Sequence, residues 1–266
     1  MFSGFNLTLS EDIVREHRLI DEYYTTGQKM FDSQKLTVRK SLDSYLNPDG
    51  SLSASQIETD WFEKIEVNVF LSHSHADEKA VIGLAGFLYE NFGITSFVDS
   101  CIWGYADDLL RALNNKYSTT GTGKYDYGKC NFASNHVHLI LNGALAKMIN
   151  HTECLIFVNT PNSIKLKDIT DKSKTASPWI YSELLMATEF PHQKLQYYRP
   201  LVHSEQYSRE ASRLQVEYDV EVDKLCDLHF DDLYLAKYAA KKDDPLAILN
   251  QLYIGKKLIK CKDDII

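Results

Sequence analysis

The chain has 266 residues, 44% of them apolar and 25% charged, and a formal net charge of −8. Such a chain builds one large domain, or a domain with sizeable additions, and its acidic balance argues against nucleic acid as the main partner, because phosphate binding needs a basic surface. No apolar run reaches the ~18–20 residues that cross a bilayer, so no membrane partner is expected.

The opening MFSGFNLTLSED lacks a basic region followed by a long apolar core, and no signal peptide is expected there. Residues 1 to 65 read as helical. Thr8 with Glu11 makes a capping box before EDIVREHRLIDEYY, and a second helix runs through MFDSQKLTVRKSLDSYL. After the turn Asn47-Pro48-Asp49-Gly50, SASQIETDWFEKI reads as a short helix. The first strand is expected at 67–71 (VNVFL), ending in the polar run 72–77. A helix follows, with Val81, Leu84, Ala85, Leu88 and Phe92 on one face and Gly93 as its stop. A short strand at 94–98 closes at Asp99. Strand, helix and strand within so few residues predict a parallel pair joined by a right-handed crossover.

DSCIWG then reads as a loop and YADDLLRALNNKY as a helix, and the polar, Gly-rich residues 118–135 as an inserted loop. HVHLILNGALAKMIN is helical, and 153–158 (ECLIFV) is a buried strand. SPWIYSELLMA begins a helix, with Ser177 as cap and Pro178 at the first helical position. A strand is expected near 197–202, LQVEYDV (214–220) alternates like another, and DPLAILNQLY is helical. The fold class is therefore α/β, an open parallel sheet with an N-terminal helical extension (1–64), a central domain (65–205) and a mainly helical C-terminal extension (206–266). Ligands of such sheets bind outside the carboxyl ends of the strands, where strand order reverses. Segments 72–77, 99–104 and 159–163 belong to that edge, and the helix holding Glu183 begins on the same side.

Several motifs lack the context their chemistry needs. Gly121-Thr122-Gly123-Lys124 has Ser118 and Tyr125 where a phosphate loop requires Gly and Ser or Thr. His73 with His75, and His136 with His138, lack a third ligand at zinc spacing, so no metal is expected, although His73 stands at a strand end where a ligand would lie. No nucleophile elbow is present. The five cysteines, Cys101, Cys130, Cys154, Cys226 and Cys261, fit no zinc or disulfide framework and predict free thiols in a cytoplasmic protein.

Glu183 remains. On a helical wheel it falls between Trp179 and Ala187, on the edge of the apolar face formed with Ile180 and Leu184. Helix glutamates in such places pair with arginine or reach to solvent. The functional alternative is a carboxylate walled by Trp179 at the mouth of a site, suited to cleaving an N-glycosidic bond. Positive charge develops on the ribosyl carbon there, and a cationic leaving group such as the pyridinium of NAD needs no general acid.

The segments VNVFLSHSHADEKAVIGLAGFLYENFGITSFVDS, CIWGYADDLL, TECLIFVNTPNSI and SPWIYSELLMA, in that order, resemble the conserved segments of Toll/interleukin-1 receptor (TIR) domains, the bacterial ones above all, over about residues 65 to 205. The resemblance implies a flavodoxin-like fold and cleavage of NAD to ADP-ribose or a cyclic or conjugated form, with NAD as substrate and no cofactor. It assigns Glu183 as the catalytic carboxylate and Trp179 as its neighbour at the family's Trp-x-x-x-Glu spacing. Ser72 and His73 match the turn after the first strand, and Asp99 to Tyr105 the loop that gates the site and makes TIR–TIR contacts; Phe70, Leu71, Ser72 and His73 would form the nucleotide pocket with Trp103 and Trp179. It further implies self-association, a phage-derived trigger and a separate effector reached through a nucleotide messenger, as in Thoeris-type antiphage defence. The 118–135 insertion and the tail after 205 depart from a minimal TIR domain. A non-catalytic scaffold, as many TIR domains are, and a nucleoside deoxyribosyltransferase-like enzyme are the competing classes.

Overall fold

The structure is a computed structural model in which residues 1–34, 41–102, 106–164, 174–189, 192–193, 218–219, 222–241 and 243–259 are described. The elements in chain order begin with β1 (Ser3–Thr8), α1 (Glu11–Glu16), a π-helical turn at Leu19–Tyr23, α2 (Tyr24–Gln34), a 3-10 turn at Leu42–Tyr45 and α3 (Ala54–Trp61). Next come β2 (Val69–Ser72), α4 (Glu78–Phe92), β3 (Ser96–Phe97), α5 (Asp99–Ile102), α6 (Ala106–Leu113), a second π-helical turn at Asn114–Ser118, α7 (Tyr127–His151) and β4 (Cys154–Asn159). The chain continues with β5 (Lys174–Thr175), α8 (Pro178–Glu189), β6 (Tyr218–Asp219), β7 (Cys226–Leu228), α9 (Phe230–Ala240) and α10 (Pro245–Gly255).

Two compact units divide these elements: Met1–Met30, Val67–Val98 and Ile149–Ile266 form the first, Phe31–Glu66 and Asp99–Met148 the second. The first holds an open, all-parallel five-stranded sheet of order β3-β2-β4-β1-β7, an α/β architecture consistent with a flavodoxin-like fold. Strand β4 is the centre. Its Cys154 faces Ser3 of β1 on one side and Val69 of β2 on the other. Residues 154–158 are buried without alternation, as expected of a strand covered on both faces. Successive strands β1, β2 and β3 step toward one edge of the sheet, and β4 then returns between β2 and β1 to lead toward β7 at the other edge. Chain connections therefore diverge at the carboxyl ends of β2 and β4, which is where this architecture opens a crevice.

The expected helical character of residues 1–65 is corrected at Ser3–Thr8, a strand in the heart of the sheet. Phe5 and Leu7 are fully buried there, and Phe5 pairs with Ile156 and Cys226. Thr8 ends that strand, so the cap of α1 is Ser10, whose Oγ accepts from the Ile13 N–H at 3.3 Å. The long helix expected after it breaks at Arg18, which adopts the left-handed conformation (φ 51°) before the π-helical turn. The expected strand at 197–202 lies outside the described residues. Of 214–220 only Tyr218–Asp219 is described, paired antiparallel with β5.

Helix α4 carries the predicted buried face, and Gly93 ends it with φ 68°. Its glycines allow a close approach to the preceding helical segment. A Cβ on Gly86 would stand 2.1 Å from the Tyr23 carbonyl oxygen, and one on Gly83 2.3 Å from that of Leu19.

In the second unit, Ser53 caps α3, accepting from the Gln56 N–H at 3.4 Å. Residues 118–135 are not all loop: α7 begins at Tyr127, nine residues earlier than expected. Asp126 starts it, its Oδ1 accepting from the Lys129 N–H at 2.9 Å. The segment DSCIWG, expected as loop, holds the helical turn α5 over its first four residues.

Candidate functional site

Helix α8 forms as its sequence dictates. Ser177 Oγ accepts from the Ile180 N–H at 3.3 Å and Pro178 takes the first helical position. Ile180, Leu184 and Ala187 are buried on its inner face. Glu183 lies among them at 2% exposure rather than on the rim of that face. Transfer of a carboxylate from water is costly unless a polar partner compensates it. Strand β2 supplies one: Ser72, its last residue and fully buried, donates from Oγ to Glu183 Oε2 at 2.6 Å. That length lies in the range of O–H···O bonds, and such a bond to an ionised carboxylate is about twice as strong as one to a neutral acceptor. The carboxylate is thus fixed at the carboxyl end of β2, one of the two strands that border the crevice.

Trp179 is half-buried, one helical turn before Glu183 on the same side of α8. His73 follows Ser72 directly and is 6% exposed, its ring 6.0 Å from that of His75. Phe70 and Leu71 are wholly buried in β2, and Phe70 packs its ring 5.3 Å from Phe97. Their side chains belong to the sheet core, so a ligand at this edge would meet Ser72 and His73 first. Asp99 opens α5, in the second unit. Trp103 and Tyr105 lie outside the described residues. The structure therefore joins Ser72 to Glu183 and sets Trp179 and His73 beside them in sequence.

A second polar constellation at this edge escaped sequence reasoning. Asp77, five residues beyond Ser72, receives two hydrogen bonds from the loop after β4. Thr160 Oγ1 donates to Oδ2 at 2.5 Å and Asn162 Nδ2 to Oδ1 at 2.7 Å. That loop is itself folded tightly, with the Thr160 N–H donating to Ser163 Oγ at 2.8 Å. One carboxylate thus ties together the loops leaving β2 and β4, the strands that flank the crevice. The available signal was a carboxylate in the polar run after the strand, a residue type that needs donors when drawn toward a sheet edge.

Among the described residues, no group of three or more His, Cys, Asp or Glu side chains is placed to hold a metal ion. No described helix is long and apolar enough to cross a membrane. Cys101, Cys130, Cys154 and Cys226 are free thiols, and Cys261 lies outside the described residues. Burial, with Glu153 beside it, pushes the Cys154 thiol far above its ordinary range, which leaves it no nucleophile near neutral pH. The chemistry this edge offers is that of a fixed, hydroxyl-supported carboxylate next to an indole. No known protein family, curated protein or solved structure matches the chain.

Proposed function

We propose that the chain is an NAD-cleaving enzyme of the TIR type, with Glu183 as its catalytic carboxylate. The observation that supports this reading is the buried bond between Ser72 Oγ and Glu183 Oε2 at the carboxyl end of β2. A lone carboxylate, oriented in advance and shielded from water, stabilises the positive charge that develops on the ribosyl carbon as the bond to nicotinamide breaks. Nicotinamide leaves as a neutral molecule from a cationic precursor, so no second carboxyl group has to act as general acid. Ser72 holds the carboxylate at Oε2 and so orients it for the ribose hydroxyls or the reacting centre. Trp179 offers a flat face for a base or the pyridinium ring, and His73 a polar group at the rim. The released ADP-ribosyl group goes to water, to a hydroxyl or ring nitrogen of the same molecule, or to another acceptor, giving ADP-ribose or a cyclic or conjugated signal. Such a product serves as messenger to a separate effector in antiphage defence, with a phage component as trigger and self-association as the active form. The protein acts in the cytoplasm.

The burial of Glu183 and Ser72 favours a second reading, in which their bond only braces α8 against the sheet of a non-catalytic interaction module. Mass spectrometry of nucleotides from cells expressing the native protein or Glu183→Gln, with and without phage, separates the two. The enzyme reading expects NAD loss and a new ADP-ribose species in the native cells alone. Unchanged NAD in both strains under challenge favours the module. Preference for free nucleosides over NAD would point instead to a deoxyribosyltransferase-like enzyme.

A further inference from the structure

The second unit contains an open cavity of about 590 Å³, within the roughly 300–1,000 Å³ typical of small-molecule sites. Three stretches build it: the turn and start of α3 at 50–57, the end of α6 with the π-helical turn after it, and the first turns of α7. Leu52, Ile57, Leu113 and Ile140 make an apolar floor. Phe132, 68% exposed, forms one wall, with the His136 ring edge-on to it at 4.5 Å. An aromatic left this open beside a concave apolar surface is the usual mark of a binding surface rather than of a core.

The charged side chain that lines the cavity is basic. Its charged or chargeable lining groups are Lys129 and His136, with the phenol of Tyr117, and no carboxylate lines it among the described residues, in a chain carrying 37 Asp and Glu against 29 Lys and Arg. Lys129 and His136 sit seven residues apart on α7 and so project from the same side of that helix. Lys129 makes no ion pair among the described residues. The three acids nearest in sequence to the lining are otherwise engaged: Asp126 Oδ1 accepts from the backbone of Lys129, Asp49 Oδ1 from the Ser51 N–H and Oγ, and Glu58 Oε1 from Lys147 Nζ at 2.6 Å. The Ser118 hydroxyl is likewise committed, donating to Asn114 Oδ1 at 3.0 Å. The exposed ammonium and imidazole, with the Tyr117 hydroxyl, are therefore placed to orient a guest over the apolar floor.

We infer that this cavity binds a small soluble amphipathic anion, an apolar body of about ten or more carbon atoms with a single carboxylate or similar head, its tail on Leu52, Ile57, Leu113 and Ile140 and its head at Lys129 and His136. The site is independent of the Ser72–Glu183 centre and of what that centre does. It gives the 118–135 segment a task, since Ser118, Gly128, Lys129, Phe132 and Ala133 all line the cavity.

Calorimetric titration of the full-length protein tests the inference with decanoate, decanol and decyltrimethylammonium as probes. Decanoate should bind one to one, at least tenfold more tightly than either decanol or the cation of equal tail length. Lys129→Glu, a change at an exposed position, should weaken decanoate about tenfold, the range for loss of a charged contact. Ala133→Trp should fill the space and abolish binding of all three, with its circular dichroism spectrum showing a native fold. If that variant unfolds, Lys129→Glu carries the test. Equal affinity for the cation or the alcohol, native affinity in Lys129→Glu, or no decanoate binding below about 1 mM would each overturn the inference.

Discussion

Replacing Ser72 with alanine removes a fully buried hydroxyl and strips Glu183 Oε2 of a 2.6 Å hydrogen bond. Hydrogen bonds to charged acceptors contribute about 1.5–3 kcal/mol net and those between neutral groups about 0.5–1.5 kcal/mol. Ser72→Ala should therefore cost about 2 kcal/mol in the native background. In a Glu183→Gln background the acceptor keeps its shape and loses its charge, and the same substitution should cost about 1 kcal/mol. The difference, about 1 kcal/mol of coupling, exceeds the ~0.3–0.5 kcal/mol within which independent sites add. Urea unfolding of the four proteins, followed by tryptophan fluorescence and by circular dichroism, measures it. Equal costs in the two backgrounds would refute the assignment of a charged, Ser72-supported carboxylate at this edge.

Helix approach makes a second prediction. Gly86→Ala places a methyl group 2.1 Å from the Tyr23 carbonyl oxygen and should lose about 1–3 kcal/mol, whereas Gly121→Ala, with nothing within 4 Å, should stay within about 0.5 kcal/mol of native in the same denaturation assay. Asp77→Ala releases Thr160 and Asn162, and hydrogen exchange at 160–163 should accelerate about tenfold, the equivalent of about 1.4 kcal/mol; native protection would remove Asp77 as a tie between the loops. Cys154 makes a prediction about alkali. Its folded-state pKa lies above the ordinary 9.0, so the folded protein holds this proton more firmly than the unfolded chain. The resulting stability is complete below about pH 9 and is lost above it, by up to about 1.4 kcal/mol per pH unit; Cys154→Ala should flatten the pH-stability curve there by that slope, and an unchanged slope would contradict it.

What the sequence disclosed was local. Ser177, Pro178 and the apolar spacing after them specify α8 and mark Glu183 as an acid among buried neighbours, and Gly93 stops α4 through a conformation that glycine adopts readily. The rest depended on partners far along the chain. Ser72 meets Glu183 across 111 residues and Thr160 meets Asp77 across 83, and no periodicity records such pairings. Strand β1 was hidden for the same reason. The pattern Phe5-Asn6-Leu7 is too short to distinguish from a helix start, and it becomes a strand because β4 and β7 offer hydrogen bonds and burial on both sides. The early turns of α7 were obscured by polar composition, although Asp126 stood ready as a cap. The cavity could not be read at all, since its lining comes from three separated stretches.

The NAD-cleaving role proposed for the buried Glu183 is tested by nicotinamide release from NAD by the purified protein at high concentration, compared with Glu183→Gln of matched fold. The native protein should release nicotinamide, and the variant should lose at least about 100-fold, of the order found when a stabilising electrostatic group is removed. Nicotinamide released equally by both proteins would contradict that role.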